Sequence, residues 1–176
     1  MRILGVDPGS RAAGWAVVDF AAAPRLVAAG VIRPRAALPF AERLATLHRE
    51  LTGIVAREAP GAAVVERVFA GVNAQSLIAL GEARGVLLLA LAQAGLTAAE
   101  ITPAEIKRAV AGSGSAEKEQ VRRMVAALLG KRLALDAADA AAAALAHGFV
   151  VARRGATRGP EALAAAARVV VRRPAG

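Results

Sequence analysis

Four carboxylates stand where a folded chain would ordinarily bury apolar side chains. Asp7 closes the apolar run Ile3-Leu4-Gly5-Val6 in "MRILGVDPGSRAAGW", and Glu66 lies inside "AAVVERVF". Asp136 and Asp139 are three apart in "LALDAADAAAAALAH", so a helix there puts both on one face. A carboxylate at the edge of a core is costly unless something pairs with it. Several gathered together repel and raise one another's pKa unless a cation compensates. Oxygen-only ligation suits a hard divalent ion, magnesium or manganese. Two such ions, roughly 3.5–4 Å apart, serve phosphodiester cleavage by activating a water and stabilising the leaving oxygen. Each acid also has a duller use. Asp136 suits a helix N-cap with Asp139 in the favoured first turn, Asp7 suits an Asp-Pro-Gly turn, and Glu66 suits an arginine partner at a sheet's end. The shared-ion reading requires all four to meet.

Apolar runs bounded by turn residues predict strands over 2–7, 13–20 and 25–32. Phe40, Leu44, Leu47, Leu51, Ile54 and Val55 recur at helical spacing, so residues 40–58 read as a helix. Pro60-Gly61 precedes a buried strand over 62–68, on which Glu66 shares a face with Val64 and Val68. A long helix follows over 74–94, then a short strand over 97–101. Thr102-Pro103-Ala104-Glu105 has the form of a capping box with proline in the first turn. Ser115, after the loop Gly112-Ser113-Gly114-Ser115, suits the cap of a helix ending near Leu129. A last helix is predicted from Asp136 to about Val151. Three strands, helix, strand, helix, strand and then helices give an α/β fold, a mixed five-stranded sheet flanked by helices. If the first and fourth strands are neighbours, Asp7 and Glu66 converge, and the last helix can present the other pair.

With 176 residues the chain suits one domain with a substantial core. Aromatics make up only 3% against 56% hydrophobic residues, so alanine, valine and leucine must fill the interior. The net charge of +9, carried almost wholly by arginine, favours a polyanionic partner, nucleic acid first. The absence of cysteine excludes disulfides and thiolate metal sites and fits the cytoplasm. His48 and His147 lie at no ligand spacing and read as helix-surface residues, which argues against zinc. The apolar windows Gly85–Ala92 and Ala140–Ala146 are too short to span a bilayer, and Asp7 interrupts any export signal. Residues 153–176 form a basic tail, six arginines to one acid, expected to be loosely ordered or a short helix and to add non-specific phosphate affinity.

Four separated blocks, "ILGVDPGSRAAGWAVV", "VVERVFAGVNAQSLIALGEARGV", "GSGSAEKEQVRRMV" and "LDAADAAAAALAH", resemble in order and spacing the RuvC family of bacterial Holliday-junction resolvases, over residues 1–152. The resemblance implies a ribonuclease-H-like nuclease domain there. It implies a homodimer that nicks two strands of like polarity across a four-way junction, in concert with the branch-migration proteins RuvA and RuvB. It also implies dependence on Mg2+, with Mn2+ as a substitute, two ions per site, held by Asp7, Glu66, Asp136 and Asp139. Phe69 falls at a phenylalanine that stacks on bases at the junction centre, although it also suits an aromatic closing the core. Lys107 and Lys118 fall at basic positions near the DNA, although either also suits a solvated surface. Lys118 is the stronger of the two, because it opens a helix where backbone N–H groups favour anions. Val72 departs from the family, which often has a basic residue there. The helix over 74–94, with Gly81 and Gly85, falls in the dimer region; packing in the core is the alternative. Two rivals remain at this level: another nuclease of the same superfold acting on hybrid or single strands, and a non-catalytic basic DNA-binding protein. A sugar-kinase-like phosphotransferase would need an adenosine pocket, for which the sequence carries no signature.

Overall fold

A computed structural model of the chain describes residues 1–67 and 73–156. Five strands and five helices follow in the order β1 (Arg2–Asp7), β2 (Ala13–Asp19), β3 (Arg25–Ile32), α1 (Phe40–Glu58), β4 (Ala62–Glu66), α2 (Ala74–Gln93), β5 (Ala98–Ile101), α3 (Pro103–Ala111), α4 (Lys118–Leu129) and α5 (Leu135–Ala156). The sheet order is β3-β2-β1-β4-β5, with β1–β2 and β2–β3 antiparallel and β1–β4 and β4–β5 parallel. The mixed sheet expected from the pattern is therefore present, with β1 and β4 adjacent at its centre.

Alternation along the strands divides the core into two layers. Ile3, Ala16, Val18, Val64 and Ile101 face α3, α4 and α5. Leu4, Val6, Trp15, Val17, Ala63 and Val65 face α1 and α2. Alanine and glycine bring α5 unusually close to the sheet. Ala140 to Ala146 are almost fully buried. A Cβ on Gly5 would strike the Ala140 carbonyl, and one on Gly14 would strike the Asp136 carbonyl. Both glycines are there because nothing larger fits under the helix.

The capping box forms as expected. Thr102 Oγ1 accepts from the Glu105 amide at 3.2 Å, and Glu105 Oε2 accepts from the Thr102 amide at 2.8 Å. Ser115 does not cap α4. Its hydroxyl lies 2.9 Å from that of Ser113, a nearer local partner, and Glu117 occupies the cap position with no side-chain bond. α5 begins one residue before Asp136, which lies inside its first turn, and it continues to Ala156, past the expected break at residue 153.

The short apolar windows also sit inside longer helices. Ala74–Gln93 and Leu135–Arg153 each have the length and hydropathy of a membrane-crossing helix. The second is the core helix of this fold. The first packs on α1 through Ala83, Leu87, Ala90 and Leu91 and leaves Ile78 and Leu89 exposed.

Candidate active site

Two-residue alternation delivers two of the acids. Along β1, Ile3, Gly5 and Asp7 lie on the α5 side, and along β4 so do Ala62, Val64 and Glu66. Val6 pairs with Val65 in the parallel ladder, so the next residues, Asp7 and Glu66, leave the sheet side by side. On the other flank Asp7 pairs with Gly14, the glycine beneath Asp136. The seat of α5 on Gly5 and Gly14 thus fixes its acids relative to the strand ends.

Asp7, Glu66 and Asp139 line one pocket of about 140 Å³ with Lys107 and Lys118, against an apolar wall that includes Ile106 and Val121. Asp136 does not line it. Its carboxylate receives a bond from Arg33 Nη2 at 3.3 Å, and Asp139 receives one from Arg122 Nη2 at 3.4 Å. Phe69 lies outside the described residues. His48 bonds Gln93 at 2.8 Å, tying α1 to α2.

Burial dominates the electrostatics. It raises the Asp7 carboxyl from 3.8 to about 7, aided by repulsion from Glu66, Asp139 and Asp136 and opposed by Lys118. Burial and then Asp139 raise Glu66 from 4.5 to about 7, again opposed by Lys118. The donor chemistry fits a hard divalent ion: carboxylate oxygens only, carrying negative charge that Lys118 does not balance. Among the described residues no three His, Cys, Asp or Glu side chains close round a single point as they stand. Arg33 and Arg122 occupy the two helix carboxylates instead.

Both folded-state pKa values lie above the unfolded ones, so the folded chain holds extra protons between about pH 4 and 7. The metal-free fold is favoured at the acid end and loses that margin as pH rises through about 7. The two carboxyls titrate as one coupled system, so the loss belongs to the pair. In thermal melts, adding Mg2+ should restore more stability at pH 8 than at pH 5. An equal Mg2+ shift at both values would contradict it.

Sequence reasoning missed the arginines around the acids. Arg33 is 103 positions from Asp136, and only the fold brings them together. Arg122 was legible in principle, four residues after Lys118 and so on the same helix face. Glu100, not Glu66, takes the sheet-end arginine: Arg67 Nε at 2.9 Å and Arg84 Nη2 at 3.1 Å both hold it. With the Arg67 amide bonded to the Ile101 carbonyl at 2.8 Å, that brace fixes the end of β4 next to Glu66.

Known proteins resemble the chain in sequence and fold. A family model described as crossover junction endodeoxyribonuclease RuvC matches residues 3–147. The crossover junction endodeoxyribonuclease RuvC of Azorhizobium caulinodans is 48% identical over 171 residues, 95% of this chain and 96% of its own. The structure of RuvC from T. thermophilus in complex with Holliday junction substrate superposes with a TM-score of 0.80 at 33% identity, covering 85% of this chain and 94% of that one. The yeast mitochondrial Holliday junction resolvase, 13% identical, has a TM-score of 0.59 over 84% of this chain and 78% of its own, a likeness of fold alone. The chain belongs to the RuvC family of crossover junction endodeoxyribonucleases, which are Holliday junction resolvases.

Proposed function

We propose that the pocket lined by Asp7, Glu66 and Asp139 is where this chain cuts four-way junction DNA, nicking two strands of like polarity symmetrically. The observation that carries this reading is the meeting of three carboxylates, from β1, β4 and α5, with two lysines in one pocket. Asp7 and Glu66 are the expected principal holders of Mg2+ or Mn2+, two ions per site. Asp139 completes the set, and Asp136 joins it on leaving Arg33. Such ions, when bound, lower the pKa of an attacking water and offset charge on the leaving 3′ oxygen. The chain's own part is positional. Lys107 and Lys118 attract and orient the phosphate, the wall of Ile106 and Val121 limits water, and the brace on Glu100 holds the β4 end still.

Two sites acting on two strands require two copies. The exposed Ile78 and Leu89 of α2, with Gly81 and Gly85 open to close approach, support a two-fold dimer through that helix. The family resemblance gives Phe69, three residues past Glu66 in the sequence, the role of stacking on bases at the junction centre, a contact worth roughly 1–3 kcal/mol per base. Residues 1–152 are read as the nuclease domain and 153–176 as a basic tail, working in the cytoplasm beside RuvA and RuvB proteins.

The test is Mg2+-dependent cutting of a labelled synthetic four-way junction against linear duplex and RNA–DNA hybrid competitors. Paired nicks at symmetric positions, in the junction alone, are expected. Equal cutting of duplex or hybrid would replace this reading with a general nuclease of the same superfold.

A further inference from the structure

The carboxylate pocket has a neighbour. Helix α4 carries Lys118 and Arg122 one turn apart, and each lines a different site. Lys118 lines the carboxylate pocket, whereas Arg122 lines a cleft of about 280 Å³ between α4 and the start of α5. The charged residues of that cleft are Arg122, Arg123 and Arg132 against a single acid, Glu119. Asp139 stands at the divide, lining the first site and bonded to Arg122 of the second.

Three observations mark the cleft as short of an anion. Arg123 and Arg132 are exposed, and among the described residues neither is paired with a carboxylate. Arg122 is only 23% exposed, its bond to Asp139 is long at 3.4 Å, and its Nε is buried with no hydrogen-bond partner among the described residues. The first turn of the long helix α5 borders the cleft through Leu135 and Ala138, adding the positive end of a helix dipole. Guanidinium groups match phosphate oxygens in a planar fork, which an ammonium cannot do.

We propose that this cleft is a second phosphate subsite, in which Arg122, Arg123 and Arg132 take a backbone phosphodiester of DNA next to the phosphate in the carboxylate pocket. The proposal rests on the reading of that pocket as the cutting site. A strand suits the cleft better than a free anion. Arg122 of the cleft is bonded to Asp139 of the carboxylate pocket, so the two sites are neighbours, and Leu135, 61% exposed, offers an apolar surface to a sugar.

The test is equilibrium binding of the full chain to a labelled four-way junction in EDTA across a salt series. The double variant Arg123→Ala with Arg132→Ala is compared with Arg49→Ala, an exposed arginine of α1 already paired with Glu50. Each lost phosphate contact removes about one unit from the slope of log affinity against log salt. The double variant should bind roughly tenfold more weakly with a slope shallower by about 1–2 units, while Arg49→Ala stays as wild type. A wild-type slope in the double variant, with junction binding intact, would overturn this proposal alone. Failure of the unaltered chain to bind the junction would overturn it together with the reading beneath it. Inorganic phosphate provides the last arm. If millimolar phosphate raises the melting temperature of wild type but not of the double variant, and DNA slopes are equal, the cleft takes free phosphate and the assignment to DNA falls.

Discussion

Asp7→Asn should leave the chain bound to a four-way junction within a few-fold of wild-type affinity and slow its cutting by three orders of magnitude or more. The substitution keeps the shape of the side chain at the end of β1 and removes one anionic oxygen donor from the pocket. Charge stabilisation of several kcal/mol depends on that donor, and each 1.4 kcal/mol is tenfold in rate. The same change should help the metal-free fold. Asp7 is the acid that the other three all push upward, and a neutral amide ends that repulsion and the cost of burying a charge. At pH 8 in EDTA the variant should therefore melt above wild type, and Mg2+ should raise its melting temperature less. Loss of cutting with a raised melt and a blunted Mg2+ response separates a damaged ion site from a damaged fold. Cutting at the wild-type rate would remove Asp7, and with it the assigned pocket, from the chemistry.

Gly5→Ala is the other large effect, and it involves no charge. The added carbon would lie against the Ala140 carbonyl and within 2.9 Å of the Ala144 amide nitrogen, both backbone atoms that cannot rotate away. α5 must lift or the strand must sink. Overpacking of this kind costs on the order of 1–3 kcal/mol, about 2–4 °C in melting temperature for each kcal/mol in a chain of this size. Catalysis should suffer more than stability, because a lifted α5 carries Asp139 away from Asp7 and a shift of about 1 Å can cost roughly 100-fold. Gly14→Ala should do the same through the Asp136 carbonyl. Gly53→Ala, on α1 with nothing within 4 Å, is the control and should stabilise slightly. If Gly5→Ala melts and cuts like wild type, the close seat of α5 does not set the geometry of the acids.

The frame of the fold was readable because its signals are local. Apolar runs bounded by turn residues located the strands, and Thr102-Pro103-Ala104-Glu105 located the start of α3 without any tertiary information. Ser115 misled because a hydroxyl that suits a cap suits a neighbouring serine equally well, and Ser113 is nearer. The end of α5 misled because the tail's arginines and alanines suggested a solvated segment, yet both are strong helix formers and the helix runs on to Ala156. The three pocket carboxylates could be picked out by their oddity in apolar surroundings. Their arginine partners could not. An arginine is ordinary anywhere in a chain of this composition, and whether Arg33 reaches Asp136 depends on how β3 lies against the start of α5.

The order of the elements has a consequence for synthesis. Asp7 and Glu66 leave the ribosome long before α5, the helix that brings Asp139 and covers Ile3, Val18 and Val64. A nascent chain stopped at α4 has neither the third acid nor the helix that shields that face of its sheet. It therefore cannot assemble the carboxylate pocket and, by its bare apolar surface, is open to chaperones and proteases.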